Sequence, residues 1–360
     1  HTSAQVGRAG RLSRKTRTRS DRIDDGRQTR VLAAHADRLP VVTYWGPTLP
    51  DADVPADLHA AAIIDVTGGM LDENPDLSIC PEATRSFPGQ PGLIVRDTDG
   101  TPLLPKFCFA SEDHSDGLSL SYDDAENGLT LTVTFKTDAD TRIITCQTTL
   151  DATRPVHLHW LAAPVLPAPQ LSDDMIDVSG RWCGEFQLSR TVWSAGMRFR
   201  ENRTGRTGHE HFPGLIVPCR GATNTQGEAY AFHYGWSGGH KMIAEELQDG
   251  RRQIQWGHAA RMETAPQTQF RTAPLYITYS DSGLNGCATA FQRHLRDRIV
   301  TWPKPDAPRP VPYNCWEAVY VDHQLPLLLD IPERPAHRAA QRFVLCRRAS
   351  CRPAARHTTA

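Results

Sequence analysis

The chain has 360 residues, which is enough for two domains and a large core. Its 40 Lys and Arg residues are balanced by 41 Asp and Glu residues, and this near-neutral charge argues against a general nucleic-acid-binding protein. No apolar run approaches the roughly 20 residues that a membrane-spanning helix needs, so a soluble protein with no membrane partner is predicted.

The first residues and the cysteines bear on the cellular location. The first 20 residues contain many Arg and no acid, a composition shared by organellar transit peptides, but we interpret residues 1–25 as a disordered leader. Nine cysteines are scattered along the chain without a Cys-x-x-Cys pair, which fits neither a zinc site nor a disulfide framework. A reducing cytoplasm is therefore the predicted location.

Alternating hydrophobicity predicts antiparallel β-structure through most of the chain. Apolar residues alternate with Thr and Lys over residues 129–136, which is the period of a half-buried strand. A turn at residues 138–140 and a return strand over 142–147 complete a hairpin. A second hairpin is predicted around Asp249-Gly250, where this pair supplies the positive φ angles of a tight turn. With a further strand at residues 274–279, the many short strands indicate a sandwich.

Near residue 284 the hydrophobic period becomes helical, which predicts a helix packed on the end of the sandwich. Its apolar positions are Leu284, Ala288, Phe291, Leu295 and Ile299. The Pro-rich residues 303–312 that follow indicate a stiff linker at a domain boundary.

After the linker, two short strands are predicted at residues 314–321 and 341–345, with a helix-length segment between them. Strand, helix-sized segment and strand are how a parallel βαβ unit begins. Pro332 and Pro335 fall inside the segment, where each costs a helix about 3 kcal/mol or more. Therefore either the sequence of this segment has lost its helical character, or the segment is not a helix.

Five strings in the chain resemble one family, the bacterial α-galactosidases of glycoside hydrolase family 36. The resemblance runs in order from about residue 25 to Leu345, and NCWEA, as the strand that opens a catalytic barrel, is its most specific part. The strings are DVTGGMLDENPDLSICPEA (65–83), ENRTGRTGHEHFPGL (201–215), YGWSGGH (234–240), YSDSGLNG (279–286) and RPVPYNCWEAVYVDH (309–323).

The resemblance implies a mainly β architecture, with an N-terminal β-supersandwich over residues 26–302. The linker and the first two strands of a truncated (β/α)8 barrel would occupy residues 303–345. It also implies a hydrolase that removes terminal α-linked galactose with retention, using two barrel Asp residues as nucleophile and acid/base and no metal or cofactor. Galactosides such as melibiose and raffinose are the implied substrates.

The match to the family stops after Leu345. Family members continue this second barrel strand as FVLDDGWF, but Cys346 and Arg347 stand where the paired Asp residues are expected. We interpret residues 346–360 as an out-of-frame tail. Because a (β/α)8 barrel needs eight strands and about 250 residues, the nucleophile and the acid/base are predicted to be absent. No catalytic residue is assigned, and this polypeptide is predicted to be inactive as written.

Three residues are carried over as substrate-binding positions. Trp316 matches a tryptophan that lines the sugar subsite, where an indole stacks on the apolar face of galactose, although it could equally be barrel core. Trp182 matches a sandwich tryptophan at the mouth of the active site, and a loop anchor is the alternative. Asp65 matches an acid that enters a neighbouring subunit's site in tetrameric relatives, which predicts a homo-oligomer; a helix or turn cap is the alternative.

Other motifs are interpreted as structural. The sequence His209-Glu210-His211 offers too few ligands for a zinc site, so no metal is predicted. Trp45 and Trp236 are interpreted as packing residues rather than ligand contacts. Two alternatives to a broken α-galactosidase stay open: a non-catalytic carbohydrate-binding or structural sandwich, and the product of a decayed gene.

Overall fold

The computed structural model describes residues 18–52, 55–63, 74–259, 265–303, 319–322 and 324–327. Within these residues the chain forms nineteen strands and two α-helices. The strands are β1 (Thr18–Asp24), β2 (Gln28–His35), β3 (Val41–Pro47), β4 (Leu93–Arg96), β5 (Pro102–Leu103), β6 (Cys108–Asp113), β7 (Leu118–Asp124), β8 (Leu129–Asp138), β9 (Ile143–Leu161), β10 (Leu166–Pro167), β11 (Asp174–Arg181), β12 (Gly184–Val192), β13 (Gly196–Asn202), β14 (Gly214–Pro218), β15 (Ala229–Tyr234), β16 (His240–Glu246), β17 (Arg252–His258), β18 (Gln267–Arg271) and β19 (Leu275–Ser280). The helices are α1 (Pro55–Ala62) and α2 (Gly283–His294), with a 3-10 turn at Ala83–Arg85 and a π-helical turn at Leu295–Ile299.

The strands pair into three sheets, and every pair between strands is antiparallel. A three-stranded sheet has the order β1-β2-β3, and a four-stranded sheet has the order β10-β17-β16-β13. The largest sheet runs β12-β11-β14-β15-β19-β9-β8-β7-β6, with β18 and β4 also pairing with the long strand β9. The predicted mainly β sandwich is confirmed.

The meander β7-β8-β9 supplies much of the core. Leu129, Leu131, Val133 and Phe135 are buried on one face of β8, while the Thr residues between them are only half-buried. Strand β8 pairs with β9 from Leu129↔Ala152 to Asp138↔Ile143. The hairpin predicted from the period-two pattern is confirmed.

The second predicted hairpin is also present, as β16 and β17 in register from His240↔His258 to Glu246↔Arg252. Its turn differs in one detail from the prediction. Gly250 has a φ of 83°, but Asp249 is not among the described residues with positive φ. Asp249 instead stabilises the turn through its side chain, whose Oδ1 accepts the backbone N–H of Arg251 at 3.0 Å.

Two polar contacts lie between layers of strands. Asp177 on β11 accepts hydrogen bonds from Arg198 at 2.8 Å and from Arg200 at 2.9 and 3.2 Å, both on β13. This buried carboxylate therefore ties the largest sheet to the four-stranded sheet. Arg30 on β2 is fully buried between Trp45 on the adjacent strand β3, at 4.1 Å from the ring centroid, and Phe135 on β8 of the largest sheet, at 5.9 Å.

Helix α2 packs against the face of β14 and β15, rather than on the end of the sandwich as predicted. Cys287 of the helix clusters with Ala229 and Ala231 of β15, and the half-buried Leu284 and Phe291 pack against them. The predicted apolar stripe does not continue to its end. Ala288 is exposed, and Leu295 and Ile299 lie exposed in the π-helical turn.

The chain divides into two units, residues 1–299 and 300–360. Residues 18–24, which belong to the predicted leader 1–25, form β1. In the second unit, residues 319–321 of the first predicted barrel strand form a turn, in which Asp322 donates its N–H to the Val319 carbonyl at 2.9 Å. Residues 314–318 and 341–345 lie outside the described residues. No helix of the described part is long and apolar enough to cross a membrane.

Candidate functional site

Of the three predicted substrate-binding residues, the structure describes one. Asp65 and Trp316 lie outside the described residues, so their predicted roles stay predictions. Trp182 lies at the turn between β11 and β12, and its side chain is 77% exposed. An exposed indole is unusual for the largest side chain and indicates that the surrounding hairpin contacts another molecule.

Close backbone approach shapes the turn that carries Trp182. The register of β11 and β12 shifts between Ser179 and Arg181, and a Cβ on Gly180 would lie 2.3 Å from the Gly184 carbonyl oxygen. Gly180 therefore has to be a glycine at this close approach. Cys183 has a φ of 61°, and its N–H donates to Glu185 Oε1 at 3.1 Å.

Strand β12 has its apolar face turned outward. Phe186, Leu188 and Val192 are 69%, 74% and 72% exposed. Glu185, Ser189 and Thr191, on the opposite face, are half-buried. Among the described residues β12 pairs with β11 alone, so it is an edge strand with one apolar face uncovered. Exposed apolar residues grouped on one face mark an interaction surface, and on this face only Arg190, which pairs with Asp174, lies between them. We call Trp182, Phe186, Leu188 and Val192 the hairpin face.

A loop supports the hairpin from one side. Phe212 donates its backbone N–H to the Val178 carbonyl at 3.2 Å, and its ring centroid lies 5.7 Å from that of Phe186. His209 Nδ1 lies 3.7 Å from Glu185 Oε1. The His209-Glu210-His211 motif thus contributes a contact to the hairpin turn.

Glu185 is the carboxylate at this turn, and its electrostatics do not suit a proton donor. Hydrogen bonds from backbone N–H groups, its own and that of Cys183 among them, hold the pKa of the Glu185 carboxyl below its usual range. A general acid for glycoside cleavage needs a raised pKa instead. The hairpin face can therefore contact a sugar or a protein surface, but Glu185 cannot supply acid catalysis there.

A group that could hold a metal lies elsewhere, and sequence reasoning missed it. Asp21 of β1, Glu112 of β6 and His114 place one potential ligand atom each within 4.8 Å of one another. Burial, and then repulsion from Glu112, raises the pKa of the Asp21 carboxyl. Arg19 Nε lies 3.9 Å from Glu112, so a cation already balances part of this charge. The two segments are distant in sequence, and no spacing motif could have paired them.

The two other tryptophans singled out in the sequence take part in packing. Trp45 is buried, with its ring edge-on to Tyr230 at 4.8 Å, which confirms the core interpretation. Trp236 is partly exposed and stacks on His258, with ring centroids 4.7 Å apart and an interplanar angle of 22°.

Comparison with known proteins identifies the family. The sequence model described as Glycosyl hydrolase family 36 N-terminal domain matches residues 38–263, and the model described as Melibiase matches residues 269–347. An α-galactosidase of Escherichia coli is 32% identical over 312 residues, which are 84% of this chain and 43% of that protein. The α-galactosidase AgaA of Geobacillus stearothermophilus is 26% identical over 247 residues, or 67% of this chain and 34% of that protein.

Solved structures agree on the fold. The crystal structure of the family 36 α-galactosidase AgaA from Geobacillus stearothermophilus superimposes with a TM-score of 0.77 at 21% identity, covering 89% of this chain and 48% of that one. The galactosidase domain of the α-galactosidase–sucrose kinase AgaSK gives a TM-score of 0.76 at 18% identity, covering 88% of this chain and 48% of that one. The chain thus spans less than half the length of each of these relatives.

Proposed function

This chain belongs to glycosyl hydrolase family 36, and from that membership we propose that it forms the N-terminal β-supersandwich of an α-galactosidase. The proposed reaction is the release of terminal α-linked galactose with retention, through a covalent glycosyl-enzyme intermediate. The observation that carries the proposal is the match of the N-terminal family model to residues 38–263, together with the α-galactosidase relatives. Galactosides such as melibiose and raffinose are the proposed substrates.

Catalysis in this proposal belongs to the barrel and not to the sandwich. Cys346 and Arg347 stand where the resemblance expects the paired Asp residues of the second barrel strand. The 360-residue polypeptide is therefore expected to show no turnover of a chromogenic α-galactoside. Resequencing the DNA across the codon of Leu345 tests the cause. A DDGW continuation in another reading frame supports a frameshift, and confirmation of the present tail contradicts a frameshift.

Within the sandwich, we assign Trp182 to the mouth of the sugar site. Its exposure on a stiff hairpin turn supports a contact role over a loop anchor, because an anchor would be covered. In a polypeptide with a complete barrel, Trp182→Ala should raise KM for raffinose several-fold with little change in kcat, since uniform binding is lost. A parallel fall in kcat with unchanged KM would contradict a role in substrate binding.

The same exposure favours a second candidate function, a sandwich that binds carbohydrate without cleaving it. Titration of the 360-residue chain with galactose, followed by tryptophan fluorescence, separates the two ideas. A saturable change that is lost in Trp182→Ala supports a binding module. A flat response removes that candidate and leaves the catalytic proposal unaffected, because the sandwich alone supplies only one wall of the site.

We also propose a cytoplasmic homo-oligomer, a tetramer in the form that the resemblance implies. The hairpin face supports association, since an uncovered apolar edge strand readily pairs with another chain. The six cysteines of the described residues are all free thiols, which supports a reducing compartment.

A further inference from the structure

A cavity of about 310 Å³ lies beside helix α2, in a part of the sandwich far along the chain from the hairpin face. It opens between the helix, the turn that follows β8, and Thr225. Its volume is at the lower end of the range for small-molecule sites, about 300–1,000 Å³. Ser282, Asn285 and Gly286, from the YSDSGLNG string, line one wall.

Arg142 lines this cavity and has an unusual backbone conformation. Its φ is 63°, which is uncommon for a residue with a side chain. Its N–H donates to the Asp138 carbonyl at 2.7 Å. Its own carbonyl accepts from Gln28 Nε2 at 3.2 Å and from Thr278 Oγ1 at 2.8 Å. Backbone strain persists where the surroundings fix it in this way, and such positions are common at binding sites.

Arg293 of α2 lines the same cavity, and no carboxylate of the described residues is in contact with either guanidinium group. Among the described residues, neither side chain forms a hydrogen bond or an ion pair. Burial lowers the pKa of the Arg142 guanidinium, and repulsion from Arg27 and Arg293 lowers it further. Asp25 and Asp281 act in the opposite direction, but neither lies within ion-pair distance of Arg142.

A nearby arginine shows the contrast. Arg298, in the π-helical turn that continues α2, pairs with Asp138 at 2.6 Å and with Asp140 at 2.8 Å. Within the part of the chain that the structure describes, the fold therefore neutralises Arg298 and gives Arg142 and Arg293 no carboxylate partner. The backbone N–H groups at the start of α2 are not available to bind an anion. The first three donate to loop carbonyls, those of Gly227, Thr223 and Asn224.

We propose that this cavity binds a sugar-sized polyol that carries a phosphate group. Arg142 and Arg293 hold the phosphate dianion, for which guanidinium is the matching donor. The side chains of Thr225, Asn285 and Thr289 line the cavity, and they form no hydrogen bond with other described residues, so they are available for the ligand's hydroxyls. This site is independent of the galactoside site, because it uses none of the residues assigned there.

Isothermal titration calorimetry on the 360-residue chain tests the proposal with three probes: glucose 6-phosphate, glucose and inorganic phosphate. Glucose 6-phosphate is expected to bind in a saturable manner and more tightly than inorganic phosphate, while glucose alone binds too weakly to detect. Raising NaCl from about 50 to 300 mM should weaken the binding, since exposed charges are screened.

Arg293→Gln, on an exposed helix position, should weaken glucose 6-phosphate binding about tenfold or more, because one charge-assisted contact is lost. Arg296→Gln is the matched control, since it removes the same charge from the adjoining turn, where Arg296 already pairs with Asp297 at 2.6 Å. It should change affinity less than twofold. Thr289→Ala, which leaves all charges in place, should weaken glucose 6-phosphate binding but not inorganic phosphate binding.

Three results would overturn the proposal. The first is the absence of binding by both phosphate-bearing probes to the folded protein. The second is an equal effect of Arg293→Gln and Arg296→Gln. The third is equal affinity for inorganic phosphate and glucose 6-phosphate, which would refute recognition of the polyol. Circular dichroism of each variant ensures that the comparison is made between folded proteins.

Discussion

Strands β8 and β12 have the same kind of sequence and opposite environments. Both alternate apolar and polar residues, yet Phe135 of β8 is 1% exposed while Phe186 of β12 is 69% exposed. Strand β8 lies between β7 and β9 within the largest sheet, whereas β12 is at its edge. Period-two patterning thus identifies a two-faced strand, but the neighbouring layer decides whether the apolar face becomes core or interaction surface.

The two regions also differ in what fixes them. In the meander, apolar side chains are packed against one another in a large buried cluster. The hairpin is fixed at the middle of β11 by Asp177, whose carboxylate accepts hydrogen bonds from the guanidinium groups of Arg198 and Arg200. Dense apolar packing and a buried charge cluster respond differently to substitution. Four experiments test how the buried core and the hairpin differ.

A pair of identical substitutions gives the largest expected contrast. Phe135→Ala should lower the free energy of unfolding by about 3–5 kcal/mol, because it removes a buried ring and leaves a cavity. Phe186→Ala should cost less than about 1 kcal/mol, because its ring is mostly in solvent and contacts Phe212 at one edge. Urea unfolding followed by circular dichroism measures both. Equal losses would show that the hairpin is packed as tightly as the meander.

Removing the charge at the middle of β11 should have the second largest effect. Asp177→Asn leaves Arg198 and Arg200 without their counter-ion at a carboxylate that is only 4% exposed. A loss of about 2–3 kcal/mol is expected, somewhat below that of a fully buried pair because both arginines are partly exposed. Asp174→Asn is the control, since its pair with Arg190 is exposed and worth under about 1 kcal/mol. A loss no larger than the control would contradict a structural role for Asp177.

These contrasts also indicate what the sequence could and could not reveal. Alternation identified β8, where the sequence pattern and the burial agree, and turn residues or short strand-like runs identified β9, β16, β17 and β19. Alternation could not identify the hairpin face, since Phe186 and Leu188 have the pattern of a core strand. Trp182 was singled out by resemblance alone. The continuation of the helical stripe to Ile299 was wrong because a π-helical turn rotates the last residues into solvent. Arg142 and Arg293 are far apart in the sequence and line one cavity only in the folded chain, so no sequence motif could have paired them.

The hairpin face gives the third contrast, in association rather than stability. Leu188→Ser should change the free energy of unfolding by no more than about 0.5 kcal/mol, because the side chain is already exposed. If this face mediates the proposed homo-oligomer, the variant should shift toward monomer in sedimentation equilibrium. Gln187→Ser, an exposed neighbour on the opposite face of β12, is the matched control and should leave the mass unchanged. Equal masses for the wild type and Leu188→Ser would rule out this surface as the interface.

The smallest expected effect is a pH dependence of the free energy of unfolding that comes from a buried histidine. His240 of β16 is buried, and burial lowers the pKa of its imidazole below the ordinary value of 6.5. As the pH falls below about 6.5, the unfolded chain takes up a proton that the folded chain resists, so the folded protein loses stability until the lower folded pKa is passed. His240→Gln removes this contribution, and its unfolding free energy should fall less between pH 7.5 and 5.5 than that of the wild type. Because His233 and His294 also have pKa values lowered by burial, the slope should shrink without vanishing. An unchanged slope in urea titrations at the two pH values would mean that His240 is solvated as freely as the residues of the hairpin face.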